Sequence, residues 1–190
     1  MSRAHTSTGS LVDRYWTQTP ANARVRFVTL ALVGSLSLAI SAHVQVPFWP
    51  VKMSMQSFMV LALAAAYGSR LGLATVVTYL VEGVVGLPVF QSGGGLAVLS
   101  GPTAGYLAGF VLATWVVGSL SERGAMRSLP SAFGVLFLGD AINMVLGTVW
   151  LTTLIGFEKA LLAGSLMFLP AEALKIALAT ALTRVTARAL

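Results

Sequence analysis

Residues 131–155, SAFGVLFLGDAINMVLGTVWLTTLI, run for 25 positions with a single charge, Asp140. A helix of that length rises about 37 Å, which exceeds the roughly 30 Å hydrocarbon core of a bilayer. The same reading extends outward along the chain. Spans are predicted over 27–46, 54–67, 71–90, 102–120, 131–155 and 170–187, the first five with at most one charged residue each and the last with Glu172, Lys175 and Arg184. The 54–67 span is the short one, and 160–169 is apolar but too short to cross, which predicts an interfacial or re-entrant lid. Of the 190 residues, 56% are hydrophobic and 9% charged, where a soluble domain carries about 25% charged. One small core cannot hide that much apolar surface, so lipid must cover the rest. The chain is therefore read as all-α, an integral membrane protein of six transmembrane helices. A polar tail over 1–26 precedes a six-helix domain over 27–187.

Charge orients the domain. Six spans put both termini on one side, together with Arg3, Arg14, Arg24, Arg26, Arg70, Arg123, Arg127, Arg184 and Arg188. The other side holds Lys52 and Lys159. By the positive-inside rule both termini, and the tail, are predicted to be cytoplasmic. The same rule accounts for the net charge of +6, so a nucleic-acid partner is not invoked. There are no cysteines, and His5 and His43 are too few for most metal sites, so neither a metal nor a cofactor is expected. No lysine follows a glycine, which excludes a P-loop; nucleophile-elbow and zinc-protease motifs are also missing. An enzyme is disfavoured, and energy for any transport must come from another subunit.

Ionisable residues inside spans carry the functional reading, because each costs roughly 2.5 to 3.5 kcal/mol at a helix centre. Glu172 and Lys175 are three residues apart, on one face of the last span near its outer end. They can simply neutralise one another. The lysine nevertheless stands against the helix dipole, which suggests an anionic guest. Ser100-Gly101-Pro102-Thr103 opens the fourth span with Ser100 as a candidate cap, so a second positive helix end points the same way. Glu82 lies in the outer half of the third span, and Asp140 and Asn143 share a face of the fifth, either as ligand contacts or as polar contacts between helices. Ala31, Ser35 and Ala39 form a stripe of small residues on the first span, suited to close approach of another helix from this chain or a partner.

From about Ser41 to Ala179 the sequence resembles the BioY family, the biotin-specific substrate-binding S components of energy-coupling factor (ECF) transporters. Three blocks carry the resemblance, in order. Val51-Lys52-Met53-Ser54-Met55-Gln56-Ser57-Phe58 is similar to the family's Pro-Val-Pro-x-Thr-x-Gln-Thr-Phe, with Lys52 and the two serines departing from it. Gly86-Leu87-Pro88-Val89-Phe90 is followed by glycines and by Gly101-Pro102-Thr103-Ala104-Gly105-Tyr106. Phe168-Leu169-Pro170-Ala171-Glu172-Ala173-Leu174-Lys175 is similar to Phe-Leu-Pro-Gly-Asp-x-x-Lys, with Glu in place of Asp.

The resemblance implies a multi-pass protein of the cytoplasmic (inner) membrane that captures biotin from outside. It also implies docking on a transmembrane coupling subunit driven by two cytoplasmic ATPase subunits. Biotin offers a carboxylate, a ureido ring with two N–H donors and a carbonyl, and an apolar thioether ring. Its pocket would use Lys175 as cation or donor and Glu82 and Glu172 as acceptors. Asp140 and Asn143 are further candidates, and Gly101, Pro102, Thr103 and Tyr106 would form a clamp. Ala31, Ser35 and Ala39 would meet the coupling subunit. Two other readings remain: a self-sufficient or proton-coupled vitamin carrier relaying protons through Asp140 and Glu82, and a structural membrane subunit.

Overall fold

The computed structural model describes residues 22–46 and 53–188; the predicted tail as far as residue 21, and Val51 and Lys52 of the first family block, lie outside the described residues. The described secondary structure is helical apart from one antiparallel pair of two-residue strands, β1 (Gln45–Val46) and β2 (Met53–Ser54). The helices are α1 (Ala23–His43), α2 (Gln56–Val85), α3 (Ala104–Glu122), α4 (Leu129–Ile155), α5 (Phe157–Leu161) and α6 (Leu169–Arg188). A π-helical turn, Leu162–Leu166, joins the last two. Among the described residues five stretches are long and apolar enough to cross a membrane: Ala23–His43, Gln56–Val85, Ala104–Glu122, Leu129–Ile155 and Phe157–Thr183.

The predicted second and third spans fall within the single stretch α2, which is interrupted at Gly68 with φ 77° and ψ −174°. That left-handed φ favours glycine. The chain reverses there: Gln56 Nε2 donates to the Tyr79 hydroxyl at 2.5 Å, across 23 residues that a straight helix would hold roughly 34 Å apart. The two arms, 56–67 and 69–85, therefore lie side by side. Glu122 from the end of α3 accepts from the backbone N–H of Ser69 at 2.7 Å and from its hydroxyl, satisfying a donor that the second arm's helix start would leave orphaned.

Helix ends shift from their expected places for local reasons. The third predicted span stops at Val85 because Gly86 takes φ 112°, and 87–90 turn back instead. The Tyr79 and Phe90 rings then meet edge to face with centroids 5.2 Å apart. Ser100 does not cap α3: its hydroxyl donates to the Ala97 carbonyl within a 3-10 turn, and the helix starts at Ala104 after Pro102 and Thr103. Ser128 does cap α4, accepting from the Ser131 N–H, and Arg24 and Arg26 belong to the first turn of α1 rather than to the tail.

Two apolar clusters hold the helices together. One, around Leu61, Val117, Leu136 and Ile176, lies toward the Gly68 end; the other, around Leu38, Tyr79, Phe90 and Phe110, lies toward the opposite end. Outward faces remain apolar, with Leu32, Leu36, Phe137, Val145 and Val149 exposed. Such faces suit lipid, and the chain is a multi-pass helical membrane protein.

Candidate functional site

The end of the bundle opposite Gly68 contains a cavity of about 320 Å³, within the range of small-molecule sites. One wall comes from the start of α6. Pro170 lies in its first turn, where a missing N–H costs nothing, and Glu172 and Lys175 follow on one face. Lys175 Nζ donates to Glu172 Oε1 at 2.7 Å and to Ser57 Oγ at 3.1 Å, and Ser57 Oγ donates to Glu172 Oε2 at 2.9 Å. All three residues are buried, with Lys175 only 4% exposed. Burial of an ion pair is tolerable when hydrogen bonds close around it. Two of the three ammonium protons are used by these partners, and the cavity is lined by the same lysine. That leaves one charge-assisted donor for a guest.

The second wall is built by a glycine-dependent packing. The Tyr106 ring lies against Gly147 of α4 and its hydroxyl against Gly164 of the π-helical turn, where a Cβ at either glycine would collide with the tyrosine. Its hydroxyl donates to the Gly164 carbonyl at 2.6 Å, and Thr148 and Ser165 are hydrogen bonded at 2.5 Å, so the 157–166 segment is tied to α3 and α4 across the cavity. Trp150 Nε1 donates to the Gly101 carbonyl at 2.9 Å and fixes the loop that leads to Pro102 and Thr103. Leu107, Phe110, Met144, Leu151 and Phe168 supply apolar surface. Asn143 lines the cavity and its buried Oδ1 has no hydrogen-bond partner among the described residues.

Of the predicted ligand residues, Pro102, Thr103, Tyr106, Asn143, Glu172 and Lys175 come together on this cavity. Gly101 stands behind it through its carbonyl. Two carboxylates fall elsewhere. Glu82 is turned toward α1, where it accepts a hydrogen bond from Ser35, and it does not line the cavity. Asp140 lies below, on a narrow gap shared with Ser57 and Asn143. The small-residue stripe faces inward in this structure: Ser35 is fully buried, Ala31 is 6% exposed and Ala39 packs partly buried on the core, so these residues make contacts within the chain. The Glu82 bond and the close approach of Thr75 to Gly34 explain why small residues are needed there.

A profile of the BioY family matches residues 15–190. The chain belongs to the BioY family. It is 32% identical over 157 residues to a probable biotin transporter BioY of Pyrococcus horikoshii, covering 82% of this chain and 93% of that one. It is 35% identical over 144 residues to the biotin transporter BioY of Thermotoga maritima, covering 75% and 84%. The fold matches a crystal structure of the S-component for biotin from an ECF-type ABC transporter, with a TM-score of 0.76 at 22% identity, over 90% of this chain and 95% of that one.

Within this BioY chain the cavity also uses residues that sequence reasoning left out of the candidate site. Ser54, Gln56 and Ser57 line it from the start of α2, and Gln91 from the glycine-rich loop. A signal was available for the first three, because they stand in the first block of the family resemblance. Gln91 had none beyond its place beside the glycines.

Proposed function

We propose that this chain binds biotin in the cavity beneath the 157–166 segment and delivers it as the S component of an ECF transporter. It is a transporter component and not an enzyme. The observation that carries the reading is the buried triangle of Ser57, Glu172 and Lys175 set into an otherwise largely apolar cavity in a BioY chain. The remaining Lys175 proton suits a ureido carbonyl or a carboxylate, and Asn143 Oδ1 suits a ureido N–H. The rings of Tyr106, Phe110 and Phe168 suit the thioether ring and the aliphatic tail. Glu172, already holding Ser57 and Lys175, acts mainly by orienting that lysine.

In the same reading the chain crosses the cytoplasmic membrane six times, the two arms of α2 counting separately because the chain reverses at Gly68. Both termini and the 1–21 tail are cytoplasmic, and the cavity opens outward. Support comes from charge: Arg70, Arg123 and Arg127 gather near the Gly68 end, while Lys159 lies at the cavity end. A transmembrane coupling subunit and two cytoplasmic ATPases supply the energy. The test is equilibrium binding of purified protein to biotin and to a panel of other vitamins. Selective binding of biotin is expected, and binding of none of them would leave the structural-subunit reading in its place. Uptake in cells should require the ATPase partners; pH-driven uptake without them would favour a proton-coupled carrier.

A further inference from the structure

Tyr79 is fully buried in the second arm of α2 and does not line the cavity, yet its hydroxyl touches two segments that do. Gln56 Nε2 donates to it at 2.5 Å, and it donates in turn to the Val89 carbonyl at 3.1 Å. Gln56 lines the cavity, and so does Gln91, two residues beyond Val89. The loop that carries Val89 is anchored beside this relay. The Phe90 ring fills the space over Gly83 that a Cβ would occupy, and Phe90 exchanges backbone hydrogen bonds with Gly93. A carbonyl can only accept, and a tyrosine hydroxyl has a single proton. With that proton given to Val89, the Tyr79 oxygen is left to accept, so Gln56 must turn its NH2 group toward it. The amide oxygen then lies on the side of Ser54, whose hydroxyl donates to Oε1 at 3.3 Å and which also lines the cavity. The reverse orientation would set two oxygens against each other or take the proton from Val89.

We propose that Tyr79 is a positioning residue for ligand selection: it fixes the Gln56 amide so that Oε1 serves as a hydrogen-bond acceptor for an N–H donor of the guest. Ser54 takes one acceptor direction of that oxygen and leaves the other. The identity of the donor rests on the biotin reading above; the orientation of the amide does not. Biotin's ureido ring brings two N–H groups, of which Asn143 Oδ1 suits one and Gln56 Oε1 the other. A guest lacking the second N–H would leave a buried acceptor unpaired, which costs more than the missing bond alone. Without the Tyr79 hydroxyl the amide is free to turn over and to present N–H in place of oxygen, so this preference is lost while the ring still packs on Phe90.

The test compares biotin with two cyclic carbamates in which oxygen replaces one ureido N–H or the other. Wild type should prefer biotin to both. In Tyr79→Phe the preference should fall about three- to ten-fold against one carbamate and stay unchanged against the other. Gln56→Met, of similar length and without the amide, should lose the same preference, and adding Tyr79→Phe to it should change nothing further. A merely structural role would weaken all three ligands alike and leave both ratios as they were, which would overturn the proposal. An effect of Tyr79→Phe that persists in the Gln56→Met background would overturn it too. If Tyr79→Phe does not fold, Gln56→Met decides alone: an undiminished preference against both carbamates overturns the proposal. A ligand-free measurement tests the orientation separately. The chain has four glutamines, Gln18, Gln45, Gln56 and Gln91, and the side-chain ¹⁵N–H signals of Gln56 are those that vanish in Gln56→Met. They should shift and exchange faster with solvent in Tyr79→Phe, and unchanged signals would overturn the relay. Signals that respond in this way in a protein that binds no biotin would support the orientation and overturn the biotin reading.

Discussion

Ser57 shows how much of this site depends on a hydroxyl that carries no charge. It donates to Glu172 and accepts from Lys175, closing a triangle whose other side is the ion pair. Ser57→Ala should leave one Glu172 oxygen without its donor and one Lys175 proton without its acceptor, at a cost of about 1 to 3 kcal/mol. Thermal unfolding and biotin titration of the variant should both register the loss; unchanged values in both would show that the triangle is incidental. The charged pair itself was legible in the sequence from its spacing and depth. Its third member was not, because Ser57 and Lys175 are 118 residues apart and nothing local ties them. That Glu82 does not line this cavity has a related reason. Hydropathy fixes how deep a residue lies along a span, but not which way it points around the helix, and Glu82 points at Ser35. For the same reason Ser35→Leu should act on the fold: overpacking a fully buried position typically costs about 1 to 3 kcal/mol. A lowered melting temperature of the isolated protein is expected, and normal stability with lost partner binding would restore the docking reading of the stripe.

Gly68 is the element on which the arrangement of helices turns. The sequence placed a gap between two spans around Gly68 and Arg70, and the structure has a left-handed residue there. The gap was legible from the charge of Arg70; the glycine's left-handed turn and the Glu122 carboxylate that seals the second arm were not, the latter because it arrives from a helix 53 residues away. Gly68→Ala should impose backbone strain of about 1 to 3 kcal/mol and push a Cβ against Glu122. Glu122→Ala should cost about 1 kcal/mol, like the loss of a helix cap. Melting temperatures in detergent should rank wild type above Glu122→Ala and Glu122→Ala above Gly68→Ala, and a Gly68→Ala protein as stable as wild type would contradict the turn. The 157–166 segment is a second such element. The sequence set a short apolar stretch over 160–169, where the structure has a short helix and a π-helical turn over 157–166; the attachment through Tyr106, Thr148 and Ser165 required the fold. Tyr106→Phe removes one of the two tethers, so biotin should dissociate several-fold faster, by an energy of roughly 0.5 to 1.5 kcal/mol. An unaltered dissociation rate would mean that this segment does not retain the ligand.

At the scale of the whole molecule, orientation and binding meet in one arrangement. The arms of α2 and the helices around them carry Ser69 and Glu122 to one end and Gln56, Tyr106 and Glu172 to the other. The chain has no native cysteine, so single introduced cysteines report sidedness directly. On intact cells an impermeant reagent should label Gly94→Cys and spare Arg123→Cys; the reverse would invert the molecule and turn the cavity inward. The claim on which the account rests is that biotin occupies the cavity at Lys175. Equilibrium binding of labelled biotin to wild type and Lys175→Ala, purified side by side and matched for folding, tests it most directly. Loss of one charge-assisted hydrogen bond of about 1.5 to 3 kcal/mol should weaken binding roughly ten-fold to over a hundred-fold. Equal affinity in the two proteins would contradict it.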